Sequence, residues 1–254
     1  MSAEKIIRSQ AREKLKHGGW SRVLIALAVI AMFYMIIECV ATLEYIITDA
    51  FTLTETAEFV VKVSCGSLVV LTTFLLSPAL LGFFRMLCND NKEYDTNDVV
   101  YYFSSFERYT KALSFVLGFT LRMILPSILC FSLVIILILI KAFFLKDSLG
   151  DTEYQVMLVL FIITAFIFTL RYATRYFVSF YLLCEDEDKP VSYYFTVSKI
   201  VMRNREKDVV KLSNTFSGWI VLCITVLPLL YVLPYYTQAM CISAKWITQI
   251  SRNG

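Results

Sequence analysis

Residues 112–144 read ALSFVLGFTLRMILPSILCFSLVIILILIKAFF, a run interrupted by charge only at Arg122 and Lys141. As a single helix it extends about 50 Å at 1.5 Å per residue, more than the roughly 30 Å of a bilayer's hydrocarbon core. A surface helix of a water-soluble domain keeps one polar face, and this run has none. It therefore predicts a membrane-crossing helix.

Three runs of the same kind lie on either side, over residues 23–47, 59–87 and 154–183. The last apolar stretch, about Leu212 to Ile250, would make a helix of nearly 60 Å, too long for one crossing. Pro228 lies near its middle and Pro234 soon after. Proline removes a backbone donor and disfavours helix in the residue before it, so the stretch divides into spans at 209–227 and 229–250, turning near Pro228. The expected fold is all-α: a polytopic transmembrane helical bundle of about six spans, one integral membrane domain over residues 1–254. Composition agrees. The chain is 58% hydrophobic and 18% charged, against about half and a quarter in soluble domains. The first run is longer than the apolar core of a secretory signal and no small-residue cleavage pattern follows it, so it reads as a retained span.

Charge fixes the expected orientation. Six basic residues (Lys5, Arg8, Arg12, Lys14, Lys16 and Arg22) precede the first span, whereas the next loop has Asp49, Glu55 and Glu58 and no Lys or Arg before Lys62. Four basic residues lie between Arg85 and Lys111, two mark the end of the third span and the loop after it at Lys141 and Lys146, six lie between Lys189 and Lys211, and Lys245 and Arg252 lie near the end of the chain. The side richer in Lys and Arg is cytoplasmic, which places both termini in the cytoplasm of a multi-pass protein of the cytoplasmic membrane.

Three segments on that side pattern as amphipathic interfacial helices before spans 1, 3 and 5. Within residues 1–22, Ile7, Ala11 and Leu15 recur at helical spacing beside Arg8, Arg12 and Lys16. In the second, Val99, Tyr102, Phe103, Phe106 and Tyr109 share a face, with Thr96 or Asn97 available as the cap. In the third, Val191, Tyr194, Phe195, Val201 and Met202 oppose Ser192, Thr196, Lys199 and Arg203, with Pro190 suited to the first turn. Basic helices of this kind favour the headgroups of an anionic leaflet. The segment Phe84-Arg85-Met86-Leu87-Cys88, followed by Tyr101-Tyr102-Phe103, also echoes Phe180-Tyr181-Leu182-Leu183-Cys184 followed by Tyr193-Tyr194-Phe195.

Few residues suggest chemistry. The only histidine, His17, has no partner at ligand spacing, and the seven cysteines are scattered singly without a CxxC pair, so neither a zinc site nor a disulfide framework is indicated. No glycine-rich phosphate loop or nucleophile motif occurs, and a net charge of +3 is too small to imply nucleic acid. No cofactor, metal or catalytic residue is expected. What remains is charge at membrane depth: Glu38 and Glu44 in the first span as candidate buried acids, Arg122 in the third, and Arg171 and Arg175 one turn apart in the fourth. Guanidinium forks match phosphate oxygens, so Arg122, Arg171 and Arg175 are candidate contacts for an anion or lipid headgroup. They are also readable, and more readily, as structural residues that snorkel to the interface or pair with cytoplasmic acids.

Ala11-Arg12, then Leu15-Lys16, Gly18 and Trp20 open the first span, while Gly218-Trp219 opens the fifth and Pro234-Tyr235 lies in the sixth. These residues resemble an uncharacterised family of bacterial integral membrane proteins, catalogued only as a domain of unknown function. The resemblance implies a six-helix bacterial inner-membrane protein and supplies no activity. Its members carry a glycine-containing turn where this chain has Val226-Leu227-Pro228. Together these readings lead us to expect a non-enzymatic accessory protein that binds anionic membrane lipid at the cytoplasmic leaflet, a membrane-protein partner or a second copy of itself. The alternative is a small transporter or channel that uses the buried charges in a kinked bundle.

Overall fold

The computed structural model describes residues 3–17, 20–50, 54–89, 94–144, 151–216, 218 and 226–253. No strand occurs among them, and the all-α bundle expected from the sequence is what the chain forms. Helices α1 (Ala3–His17), α2 (Trp20–Ala50), α3 (Glu55–Leu76), α4 (Pro78–Cys88) and α5 (Asn97–Val100) lead through a 3-10 turn (Tyr101–Phe103) into α6 (Phe106–Phe144). Then come α7 (Asp151–Ala173), a second 3-10 turn (Thr174–Tyr176), α8 (Phe177–Glu185), α9 (Val191–Met202), α10 (Glu206–Asn214) and α11 (Val226–Asn253). Among the described residues four stretches are long and apolar enough to cross a membrane: Trp20–Ala50, Glu55–Cys88, Phe106–Lys141 and Tyr154–Glu185. They contain the runs 23–47, 59–87 and 154–183 read from the sequence, and residues 112–141 of the run 112–144.

The chain packs as two compact units, one of Met1–Val116 with Thr215–Lys245, the other of Leu117–Asn214 with Trp246–Gly254. Each unit has an apolar, unburied part and a packed part. In the first, α2 and α3 form a hairpin whose Met32, Tyr45, Phe59 and Val70 are exposed. In the second, α7 and the part of α6 beyond Leu117 carry exposed Leu125, Leu129, Leu160 and Phe168. Contiguous apolar surface of this extent needs lipid or a partner to cover it.

Two breaks separate the exposed parts from the packed ones. Pro78 lacks the N–H that would bond to the Phe74 carbonyl. That carbonyl accepts instead from the Ser77 amide at 3.3 Å and the Ser77 hydroxyl at 2.6 Å, and α4 restarts with proline in its first turn. Beyond the break Leu81, Phe83, Met86 and Leu87 are buried. In the second unit α7 ends at the 3-10 turn Thr174–Tyr176. The Arg175 carbonyl there accepts from the Ser198 hydroxyl of α9 at 3.0 Å, and Val178, Leu182 and Leu183 of α8 are buried. The apolar runs over 59–87 and 154–183 are thus each interrupted, and their last turns bury side chains against the protein.

The echo between residues 84–103 and 180–195 has a structural counterpart. Both segments follow a helix break, bury Leu87 or Leu183 beside a half-buried cysteine, and lead into a helical segment carrying a buried tyrosine, Tyr102 in the 3-10 turn or Tyr194 in α9. The second amphipathic segment differs from expectation. It is one helical turn and a 3-10 turn rather than a continuous helix, and Phe106, 83% exposed, opens α6 instead. Neither Thr96 nor Asn97 caps it by a side chain; Asp95 Oδ1 accepts from the Asn97 amide at 2.9 Å. Helix α11 includes the proposed turn near Pro228 and the expected span 229–250. Its Val232, Tyr235, Gln238, Cys241 and Ala244 are buried. The expected span 209–227 begins in α10, and its residues 217 and 219–225 lie outside the described residues.

Candidate functional site

In the second unit, Arg122 projects from α6 beside Gly118. Its Nη1 donates to the Gly118 carbonyl at 2.9 Å and its guanidinium lies over the Phe195 ring, 4.2 Å from the centroid. Gly118 makes the approach feasible, since a Cβ there would meet Phe195 Cε2 at 3.0 Å and Arg122 Nη1 at 3.3 Å. Phe195 is brought up by α9, whose apolar face is buried while Lys199 is exposed. The edge of Phe195 meets Tyr176 at 5.9 Å, and the Tyr176 and Tyr172 hydroxyls are 3.4 Å apart. Arg175 lies over the Tyr172 ring at 5.3 Å and donates from Nε to Glu206 of α10 at 3.1 Å.

The three arginines therefore divide. Arg122 and Arg175 belong to one chain of aromatic and cationic contacts, and Arg175 is ion-paired. Arg171 is exposed, among exposed Phe166, Ile167, Phe168 and Leu170, and no hydrogen bond or ion pair engages its side chain among the described residues. Position along the helices matters as well. About 28 Å of α6 separates Arg122 from Lys141, and about 26 Å of α7 separates Tyr154 from Arg171. Lys141 Nζ lies 4.2 Å from the Tyr154 ring centroid, a cation and an aromatic of the kind that anchors helix ends at a headgroup boundary. Both lengths come close to the thickness of a hydrocarbon core.

The family described as "Protein of unknown function (DUF975)" matches over residues 1–251. The chain belongs to this family. No curated protein and no solved structure matches the chain. The DUF975 membership agrees with the expected family of unknown function and leaves the role of each side chain to its geometry.

The acids of this DUF975 chain do not converge. Glu38 is exposed and Glu44 half-buried on α2, so neither is enclosed by protein. Lys62, on α3, pairs with Glu58 at 2.6 Å, one turn before it. Among the described residues no group of three His, Cys, Asp or Glu side chains could hold a metal ion.

Sequence reasoning missed the polar interior of the first unit. Tyr94, 2% exposed, donates to Gln238 Oε1 of α11 at 3.0 Å, and Arg22 Nη1 donates to the Tyr94 carbonyl at 2.9 Å. Burial raises the Tyr94 phenol above its ordinary value, with Cys241 adding to it. Cys241 Sγ is 2.6 Å from Cys88 Sγ. Arg85 lies over Tyr101, 3.7 Å from the ring centroid, and reaches Asp98 Oδ1 at 3.4 Å. On α1, Ile7, Ala11 and Leu15 are buried, Lys14 Nζ donates to the Asn89 carbonyl at 2.6 Å, and Arg8 Nε donates to the Tyr235 hydroxyl at 3.5 Å. No spacing rule links residue 8 with 235 or 94 with 238.

Proposed function

We propose that this is a non-enzymatic protein of the bacterial cytoplasmic membrane that holds anionic lipid at its cytoplasmic boundary through Arg171. The observation that carries this is the side chain itself, a guanidinium with no hydrogen-bond or ion-pair partner among the described residues, on an exposed, otherwise apolar face of a membrane-length helix. At the centre of the hydrocarbon a guanidinium costs about 2.5–3.5 kcal/mol on the insertion scale, and less towards the boundary. A lipid phosphate removes that penalty and satisfies the planar fork with two parallel hydrogen bonds. Arg122 and Arg175 reinforce the positive potential nearby, but their contacts to Gly118, Phe195 and Glu206 make them supports of the α8–α9 base. The Lys/Arg bias of the flanking segments supports the cytoplasmic orientation.

The test is lipid retention. Wild type and Arg171→Gln, purified in the same mild detergent, are compared by mass spectrometry for copurified phosphatidylglycerol and cardiolipin. Loss of most anionic lipid in the variant, with an unchanged melting temperature, is expected. Equal retention by the two proteins would overturn the proposal.

A further inference from the structure

A second constellation belongs to the first unit. Lys5, Arg8, Arg12 and Lys16, with His17 and Tyr235, line an open cavity of about 650 Å³ on the outward face of α1. The four cations follow one another at helical i, i+3 and i, i+4 spacing. Like charges so placed destabilise a helix by a few tenths of a kcal/mol per pair, and only Glu13 among the lining residues opposes them. Lys5, Arg12 and Lys16 are exposed, and no hydrogen bond or ion pair engages their side chains among the described residues. Among the described residues their positive charge is left without an ion-pair partner.

Arg8 is held in place from behind. Its guanidinium lies 5.5 Å from the centroid of the Phe216 ring, Phe216 meets Tyr235 edge-on at 5.1 Å, and Tyr235 donates back to the Arg8 carbonyl at 3.3 Å. Tyr235 continues through Tyr231 to Trp20 at the start of α2. The opposite stripe of α1, Ile7, Ala11 and Leu15, is buried, so the helix cannot roll to spread its charges. A rigid arginine beside three free cations suits a ligand with several anionic oxygens, because guanidinium binds phosphate bidentately and lysine contributes a movable point charge.

We infer that this groove binds a phosphate-bearing anion, either the headgroup of an anionic lipid or a soluble phosphate compound. The inference does not rest on the lipid contact of Arg171.

The experiment uses the full chain and the double variant Arg12→Gln with Lys16→Gln, chosen because neither side chain touches the fold. Lys199→Gln with Lys207→Gln makes the same charge change on exposed residues of α9 and α10. Inorganic pyrophosphate is titrated by calorimetry into protein in neutral detergent at low ionic strength. In parallel, binding of phosphatidylglycerol from phosphatidylcholine nanodiscs is followed by native mass spectrometry. We expect wild type to bind one probe saturably, the groove variant to bind it at least about tenfold more weakly, equivalent to about 1.4 kcal/mol, and the control to match wild type. Weakened pyrophosphate binding identifies a soluble source, and weakened lipid binding alone identifies a headgroup. The inference is overturned if wild type binds neither probe, if the groove variant matches wild type, or if the control loses as much.

Discussion

Replacing Gly82 with alanine probes the join between α4 and α5, on which the packed base of the first unit depends. A Cβ at that position would lie 2.1 Å from the Val99 carbonyl oxygen, 2.6 Å from its carbon and 2.7 Å from the Asp98 carbonyl oxygen. Even close carbon–oxygen contacts keep about 3.3 Å, so the backbone at Val99 must retreat by roughly 1 Å. No side-chain rotation relieves this, because the atoms in the way are main chain. Nor is α5 free to move, since Val99 is buried and the Asp98 carboxylate is held by Arg85 at 3.4 Å and Asn89 at 3.3 Å. Overpacking of a core costs typically 1–3 kcal/mol, and a backbone clash belongs at the upper end. Alanine returns up to about 1 kcal/mol through its better helix propensity. The net loss is about 2 kcal/mol, which at about 2–4 °C per kcal/mol for a chain of this size lowers Tm by roughly 4–8 °C. Gly66→Ala is the matched control: it sits in α3 with nothing within 4 Å of its would-be Cβ, and its Tm should be unchanged or slightly raised. Both variants are melted in the same detergent and followed by circular dichroism. A Gly82→Ala protein melting at or above wild type would refute the packing argument.

Three further outcomes are expected. Phe195→Leu removes the ring beneath Arg122 and the edge contact to Tyr176, and should lower stability by about 1–2 kcal/mol; an unchanged melting curve would show that the ring supports neither. Cys88 and Cys241 should join as a disulfide when the protein is treated with diamide, which takes up the two electrons and two protons released by the thiols. Peptide mapping without reductant reads the link, and its absence would contradict the 2.6 Å approach of the two sulfurs. Finally, burial, with Asp186 and Glu187 adding to it, pushes the Tyr194 phenol up to about 12. The folded state therefore keeps a proton that the unfolded chain releases near pH 10. That stability is present below about pH 10 and is lost as the pH rises towards 12. Tyr194→Phe, which also gives up the 2.7 Å bond to the Asp186 carbonyl, should melt with a shallower dependence on pH over that interval; a decline as steep as wild type would assign the effect to another group.

The membrane character of the protein was legible in one dimension. Crossing a bilayer requires about 20 apolar residues in a row, a property of consecutive positions, and residues 23–47 and 112–144 declare it without reference to anything distant. The stripe Ile7, Ala11 and Leu15 and the short helix after Pro190 were legible for the same reason, since helical spacing is local. What the apolar residues touch was not legible. Leu87, Leu183 and Cys241 read from the sequence like Leu129 or Phe168, because a side chain that avoids water is equally suited to lipid and to protein. Only the breaks at Ser77 and Thr174–Tyr176, with α11 packed into the first unit's interior, assigned the first three to a protein core. The charges divide in the same way. The sequence singled out Arg122, Arg171 and Arg175 by their apolar surroundings, but contacts across tens of residues decided that Arg122 meets Phe195, that Arg175 meets Glu206 and that Arg171 finds no hydrogen-bond or ion-pair partner among the described residues. Pairing between distant positions depends on how the helices dock, and no spacing along the chain encodes that.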